Sequence, residues 1–505
     1  MKTFLTGEVD SKRIVYGRLA KIHADRGDYL SSLKIMLRKR ELTDDPSMYT
    51  ILENEIALLI REKLQLKALE SVVEEFGALF PADEALIRLM SYYDEQGDYY
   101  REEREARRFL KRFPEHHHSQ RVQNFLNRIG DKIKAERYLI ALLLPLSGKL
   151  RDFGNSALQG AELAIQFFKE AFPEVSVGLI VRDLQEDPSQ IRITLEGWLN
   201  TYLPIAIVGP LLSKEVNRIA PVVERANIAL ITPGATARDL ASLGNAVFRN
   251  AATNRFLCNA IAEYAVLQLS IVRFAVLYPE EGSGRRWIDC FSEGVQKLGG
   301  KVVLVESYSL DETDFTKTIG DLRKEDLRNE GFLEILEVEG EEGETEEIYT
   351  PGFEGIFLPA DAVRAGLIIP QLIFHDYDGI TLLGTNSWNS SEFLNLVGPY
   401  AEGAVFADGF FKDSPDLNVE MFVREYEERY NETPDLFAAQ SFDATRLILN
   451  TLTEGALTPQ KVKMKVANTI DFSGVSGFVY EMFEGEAIKE PFFIQVQNGR
   501  FVQAH

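Results

Sequence analysis

From Tyr138 onward, eight short apolar runs recur, separated by stretches with helical periodicity, and no other feature limits the possible folds so tightly. The runs are YLIALLLPL at 138–146, VSVGLIV at 175–181, IAIVG at 205–209, IALIT at 228–232, RFAVLY at 273–278, KVVLVES at 301–307, GIFLP at 355–359 and ITLLG at 380–384. Most are continuous rather than alternating. A strand that faces solvent on one side alternates, whereas a strand covered on both faces is apolar throughout, so these runs predict parallel sheets of α/β units with right-handed crossovers. Gly, Pro, Ser and Thr cluster just after several runs, at Leu146-Ser147-Gly148, Gly209-Pro210 and Thr232-Pro233-Gly234. Ligands of open α/β sheets sit in the crevice beyond the carboxyl ends of the strands, which makes these loops the candidate site.

Residues 1–137 have a different texture: helix after helix, many charges and no strand-like alternation. Pro46, Pro81 and Pro114 recur at a period near that of a helix–turn–helix array, and Gly27-Asp28-Tyr29 returns two periods later as Gly97-Asp98-Tyr99. Each Gly-Asp-Tyr is expected to turn the chain between paired helices, and each proline to fall between repeats, where its missing N–H costs little. Phe80-Pro81-Ala82-Asp83 and Phe113-Pro114-Glu115-His116 resemble the junctions of tetratricopeptide repeats over about three repeats. That resemblance implies a concave protein-binding groove, with a docking spacer as the competing reading. His116-His117-His118 looks like a metal cluster, but consecutive residues on a helix point in different directions and do not converge on one ion.

Charge narrows the partners. Lys+Arg 55 against Asp+Glu 78 gives a net charge of −23 over 505 residues, which repels phosphate backbones and anionic lipid heads, so nucleic acid is not an expected partner. The longest apolar run, Tyr138–Leu146, is far short of the ~20 residues of a membrane-spanning helix. The N-terminus shows no signal peptide, so the chain is expected to be either cytosolic or a trimmed mature form. Two cysteines, Cys258 and Cys290, exclude a disulfide framework and a four-cysteine zinc site; both fall in helical patterns and are expected to be buried free thiols rather than a bridge. The acidic stretch LEVEGEEGETEE at 336–347 reads as a solvated loop or hinge, without the spacing of a calcium loop. Asn498-Gly499 between two strand-like runs predicts a type I′ hairpin at the C-terminus.

Five segments carry a more specific likeness: LLLPLSGKLRDFGNSALQGAELAI at 142–165, IVGPLLSKEV at 207–216, LITPGATARDL at 230–240, AVLYPEEGSGRRWIDCFSEGVQKLGGKVV at 275–303 and LLGTNSWNSSEFLNLVGPYAEGAVF at 382–406. With these in order, residues 138–505 resemble the type I periplasmic solute-binding proteins, in particular the Leu/Ile/Val receptor family of ABC transporters. The N-terminal repeats together with LLLPLSG and Gly384-Thr385-Asn386-Ser387-Trp388-Asn389 also look like the penicillin-binding protein activators, which use the same fold. The resemblance implies a helical-repeat domain at 1–137 followed by two Rossmann-like parallel-sheet lobes that hinge on three crossovers. Lobe one is expected at 138–250 plus 380–450, and lobe two at 251–379 plus 451–505.

It also implies site residues. Ser213 and Thr236 hydroxyls and the Ala235 backbone match the family's carboxylate-binding loops, each at the expected start of a helix, so ligand contact is expected over the competing reading of ordinary N-caps. Ser147 lies in the first of the candidate loops. The position of the family's aromatic hydroxyl falls on Ser283, and that of its ammonium-binding acid on Asn386, so ordinary branched-chain amino-acid binding is not implied. Asp361 is the alternative acid, or caps the helix that follows. Phe153, Trp388 and Tyr278 are candidate cleft walls, with lobe core as an equal reading for Trp388 and Tyr278 and a lesser one for Phe153, which follows the charged Arg151-Asp152. No phosphate loop, HExxH helix, GxSxG elbow or complete GxGxxG occurs, so no enzyme is expected, and neither cofactor nor metal. The expected function is an extracytoplasmic receptor closing on a small polar or carboxylate-bearing ligand for ABC-type uptake or sensing, with an ABC permease as partner. The alternative is an envelope regulator of peptidoglycan synthesis that reaches a penicillin-binding protein through its repeats.

Overall fold

The computed structural model describes residues 2–96, 98–184, 190–238, 240–282, 284–337 and 345–504. Two compact units are present: Met1–Arg137 with Gly178–Val181, and Tyr138–Val177 with Arg182–His505.

The first unit is helical: α1 (Lys2–Asp25), α2 (Tyr29–Glu41), α3 (Pro46–Lys63), α4 (Leu66–Phe76), α5 (Ala82–Gln96), α6 (Tyr99–Arg112) and α7 (Ser119–Ala135). The internal repeat has a local cause. Asp28 and Asp98 adopt nearly the same backbone angles and cap α2 and α6 in the same way, each carboxylate accepting the N–H three residues on. Pro46 opens α3, where its lost N–H would be unsatisfied in any case. Leu33, Ile56, Ile60, Leu86, Leu89 and Phe109 are fully buried in one shared core. The three histidines lie in the turn before α7 and not on a helix, so the divergence expected of them does not hold: adjacent rings lie tilted by 38° and 47° with centroids 4.1 and 3.9 Å apart.

From Tyr138 the predicted alternation appears as β1 (Tyr138–Leu144), α8 (Arg151–Ala171), β2 (Val177–Asp183), α9 (Ile191–Thr201), β3 (Ala206–Val208), α10 (Ser213–Ala226), β4 (Leu230–Thr232) and β5 (Val247–Arg249). The chain continues through α11 (Asn254–Leu267), β6 (Arg273–Pro279), α12 (Gly284–Lys297), β7 (Lys301–Tyr308), α13 (Thr316–Asn329), β8 (Phe332–Glu337), β9 (Thr345–Thr350), β10 (Gly355–Phe357), α14 (Ala362–Phe374), β11 (Thr381–Gly384), α15 (Ser391–Val397) and β12 (Val405–Asp408). It ends with α16 (Leu417–Tyr430), α17 (Leu436–Thr453), α18 (Pro459–Ala467), β13 (Ile470–Gly474), β14 (Gly477–Phe483), β15 (Glu486–Lys489), β16 (Phe492–Gln497) and β17 (Arg500–Gln503).

Two large sheets result. The first runs β13-β14-β15-β5-β4-β3-β1-β2 and the second β17-β16-β12-β11-β10-β6-β7. Their cores are parallel, β1–β3–β4–β5 in one and β12–β11–β10–β6–β7 in the other. All seven residues of β1 are buried, as a strand covered on both faces requires. On one face α8 and α17 pack together so closely that a Cβ on Gly160 would overlap the carbonyl of Ala438. Asn498 and Gly499 both take positive φ and join β16 to β17, the turn the sequence predicts.

The chain crosses between the sheets after β5, after β12 and after β15. The expected lobe boundaries are therefore corrected. β11 and β12, expected in lobe one, pair beside β10 in the second sheet. β13 to β15, expected in lobe two, return to the first sheet, where Glu486 pairs with Arg249 of β5. Strand patterns reveal that a residue is in a sheet but not in which one; pairing decides that. Of the acidic segment, 338–344 lies outside the described residues, and its flanks are not loop but the paired strands β8 and β9.

Candidate functional site

The first sheet presents three loops at the carboxyl ends of β1, β3 and β4, and those after β3 and β4 are bonded to each other. Gly209 turns the loop after β3 with φ +91°, and a Cβ there would overlap the carbonyl of Leu143, so glycine alone fits. Thr232 Oγ1 donates to the Pro210 carbonyl (2.6 Å) and accepts from the Ala235 N–H (3.1 Å). Ser213, first residue of α10, accepts the Ala237 N–H on Oγ (3.0 Å), which leaves its own hydroxyl proton available to a ligand. The N-cap of α10 is Leu212, which gives the first turn no side-chain cap, so its N–H groups form an electropositive end.

Arg249, at the end of β5, fixes this arrangement. Its buried guanidinium donates to Glu486 (2.7 Å) and to the Ala237 carbonyl (2.5 Å). The next residue, Asn250, begins the first crossing: its N–H donates to the Thr232 carbonyl (3.1 Å), and its own carbonyl accepts from Lys489 Nζ (2.8 Å) at the third crossing. Lys489 also donates to Ser476 Oγ (3.2 Å), and Asp443 accepts from Ser476 Oγ (2.6 Å) and the Val475 and Ser476 N–H groups. Burial pushes Lys489 down to about 8 and raises Asp443. The loop after β4 is thus bonded to the first crossing and, through Asn250, linked to the third.

A cavity of about 1750 Å³ opens beside this network. One wall carries Ser213, Thr236, Ala237 and Arg238; the other is formed by the first turns of α11 and α12, including Arg255, Arg286, Trp287 and Cys290. Among the described residues that line it, six are basic and four acidic, the reverse of the chain as a whole, which favours an anionic group inside. Two of these acids pair with two of these bases, Glu486 with Arg249 and Glu293 with Arg255 at 3.7 Å, which leaves four bases and two acids outside those pairs.

The expected site residues divide. Ser213 and Thr236 line the cavity together; Thr236, however, does not open a helix, because the chain has no regular structure over 233–238. Ala235 is buried with its N–H committed to Thr232, so it supplies no donor to a ligand. Phe153, on the first turn of α8, is 44% exposed, and its ring lies 5.1 Å from that of Phe437 on α17, beside Gly234. Ser147 precedes the 3-10 turn Gly148–Leu150 without capping it, and lies outside the cavity lining. Trp388 is no cleft wall: it is fully buried, stacks on Phe393 at 4.7 Å and donates Nε1–H to the Ala360 carbonyl. Asp361 caps α14, accepting the Arg364 N–H at 2.8 Å, and lies away from the cavity, so it does not take the ammonium role. Tyr278 packs on the core of the second lobe, and half-buried Asn386 opens a 3-10 turn; neither lines the cavity. Ser283 lies outside the described residues.

Sequence reasoning missed Arg238, Arg249, Arg286 and Phe437. Arg238 shares a loop with Thr236 and was within reach of the motif. Arg249 and Arg286 acquire their place only through sheet pairing and the packing of α12.

A family model for periplasmic binding proteins matches residues 138–500. Among curated relatives, the Leu/Ile/Val-binding protein of Escherichia coli (strain K12) is 23% identical over 196 residues, 38% of this chain and 53% of that protein. The leucine-, isoleucine-, valine-, threonine- and alanine-binding protein of Pseudomonas aeruginosa is 21% identical over 344 residues, 67% of this chain and 84% of that one. The chain spans about half the length of the curated relatives it first matches. A crystal structure from Rhodospirillum rubrum, of a protein assigned to branched-chain amino acid ABC transport, superposes with a TM-score of 0.64 at 21% identity, covering 73% of this chain and 99% of that one. With the two crossed sheets, the three interlobe crossings and a family match over most of its length, the chain belongs to the periplasmic binding protein family.

Proposed function

We propose that this chain is an extracytoplasmic solute receptor that closes its lobes on a small, carboxylate-bearing ligand, serving ABC-type uptake or sensing with a permease as partner. One observation carries the reading: Ser213, whose oxygen already accepts the Ala237 N–H, stands at the uncapped start of α10 and faces a cavity in which basic groups outnumber acidic ones. Thr236 and Arg238 extend the same anion-binding edge. The relatives that bind branched-chain amino acids support the receptor class. They do not fix the ligand, because the family's acidic position is Asn386 here. No step of this function breaks a covalent bond, and no cofactor enters it.

The test is a thermal-shift screen of the full chain against amino acids, carboxylates and cell-wall fragments. A ligand at ~100 times its Kd stabilises by about 2.7 kcal/mol. A shift that disappears in Ser213→Ala plus Thr236→Ala supports the reading, and a flat screen across all three classes overturns it. A second reading has its own support: the family match begins at residue 138, so the helical unit before it adds something beyond the receptor fold. Under that reading the unit carries the chain to a penicillin-binding protein, and pull-down of such a synthase by the full chain but not by a chain lacking that unit is its test.

A further inference from the structure

Only two cysteines occur among 505 residues, on different helices, and the fold brings their sulfurs together. Cys290 Sγ on α12 donates to the carbonyl of Arg255 on α11 (3.5 Å) and reaches Asn259 Oδ1 (3.2 Å). Reciprocally, Cys258 Sγ on α11 donates to the carbonyl of Trp287 on α12 (3.9 Å). Each thiol therefore lies over the other helix three residues before its partner cysteine, and both sulfurs sit at one level between the helices. One turn further on, α11 and α12 nearly touch: a Cβ on Gly294 would lie 2.9 Å from the Cβ of Ala262. One turn back from that approach the structure holds Cys258 and Cys290 as free thiols, each reaching the other helix.

We propose that Cys258 and Cys290 are a dithiol–disulfide site that staples α11 to α12 in the cavity wall, closed by exchange with a small-molecule or protein disulfide. The two cysteines differ in the way that exchange requires. Cys290 lines the cavity, and the hydrogen bond from Cys258 holds its thiol below the ordinary range; Cys258 is buried, and burial pushes it up. The Cys290 thiolate attacks one sulfur of the oxidant's disulfide, whose other sulfur leaves as a thiolate and takes up a proton. Cys258 then gives up its proton and attacks the Cys290 sulfur, expelling the second oxidant sulfur as a thiolate. Two protein thiols are oxidised to one disulfide, and the oxidant disulfide is reduced to two thiols. The bond fixes the helices that carry Arg255, Arg286 and Trp287, so the redox state sets the rigidity of that wall.

The experiment treats the purified full chain with oxidised glutathione and digests it with trypsin without reduction. The expected result is an intact-mass loss of about 2 Da, one disulfide's worth of hydrogen, and a linked pair of the peptides spanning 256–273 and 287–297. The same linked pair in untreated protein also supports the proposal. Two free thiols, or separate glutathione adducts on each cysteine, overturn it. Cys258→Ser separates the steps: it should retain a single glutathione on Cys290, and its failure to do so overturns the assignment of Cys290 as the entry thiol. Because the readout is the peptide link itself, the outcome is independent of whether any solute binds the cavity.

Discussion

Replacing Asp408 with Asn should make the protein's stability less dependent on pH, in a direction fixed by the structure. Asp408 ends β12 at the start of the second crossing and is almost fully buried. One carboxylate oxygen accepts from Asn389 Nδ2 at 2.8 Å and the other from the Gly409 N–H at 2.6 Å. Those bonds favour the charged form, but desolvation outweighs them and pushes the group up to about 7. A carboxyl raised in the folded state binds a proton that the unfolded chain has already released. The native state is therefore favoured below the unfolded value near 4, and stability falls as pH rises through 4 to 7. About three pH units at ~1.36 kcal/mol each give a total of about 4 kcal/mol, of which roughly 2.5 kcal/mol falls between pH 5 and pH 8. Urea unfolding of both proteins across that range, followed by tryptophan fluorescence, measures the difference, in which every other titrating group cancels. Asp408→Asn should gain on the native protein by about 2–3 kcal/mol from pH 5 to pH 8. Curves that stay parallel within about 0.5 kcal/mol would refute the claim that burial governs this carboxyl.

Trp388→Ala should lower stability by about 3–5 kcal/mol, because it empties a fully buried site between Phe393 and Phe406; a urea midpoint equal to that of the native protein would return Trp388 to the surface. Arg249→Met removes the bonds to Ala237 and Glu486, so hydrogen exchange at 235–238 should quicken, and unchanged protection there would show that the loop holds its place without the arginine. Asp443→Ala removes the acceptor of the Ser476 hydroxyl and the negative charge that favours charged Lys489 across it, at a cost of about 3–5 kcal/mol. That loss should shrink as pH rises through about 8 and Lys489 discharges; a pH-independent loss would argue against a charge penalty.

The parts of this molecule written in local sequence were legible in it. Continuous apolar runs declare strands covered on both faces, and the loops after them lie at the carboxyl ends of the strands, which is why Ser213 and Thr236, read from those loops, line one cavity. Repeated Gly-Asp-Tyr placed Asp28 and Asp98 at equivalent caps, and Asn498-Gly499 set its own turn, because backbone angles and side-chain caps depend on a few adjacent residues. For Trp388 and Asp361 the sequence holds two readings open, because a large aromatic or an acid after a strand looks the same whether it faces a cleft, fills a core or caps a helix; packing selects the core and the cap. Which sheet β11 to β15 join, the tie from Arg249 to the ligand loop and the meeting of Cys258 with Cys290 were decided by tertiary structure alone. Those contacts link residues far apart in sequence, and only the summed packing of both lobes selects among the pairings that local pattern leaves equally open.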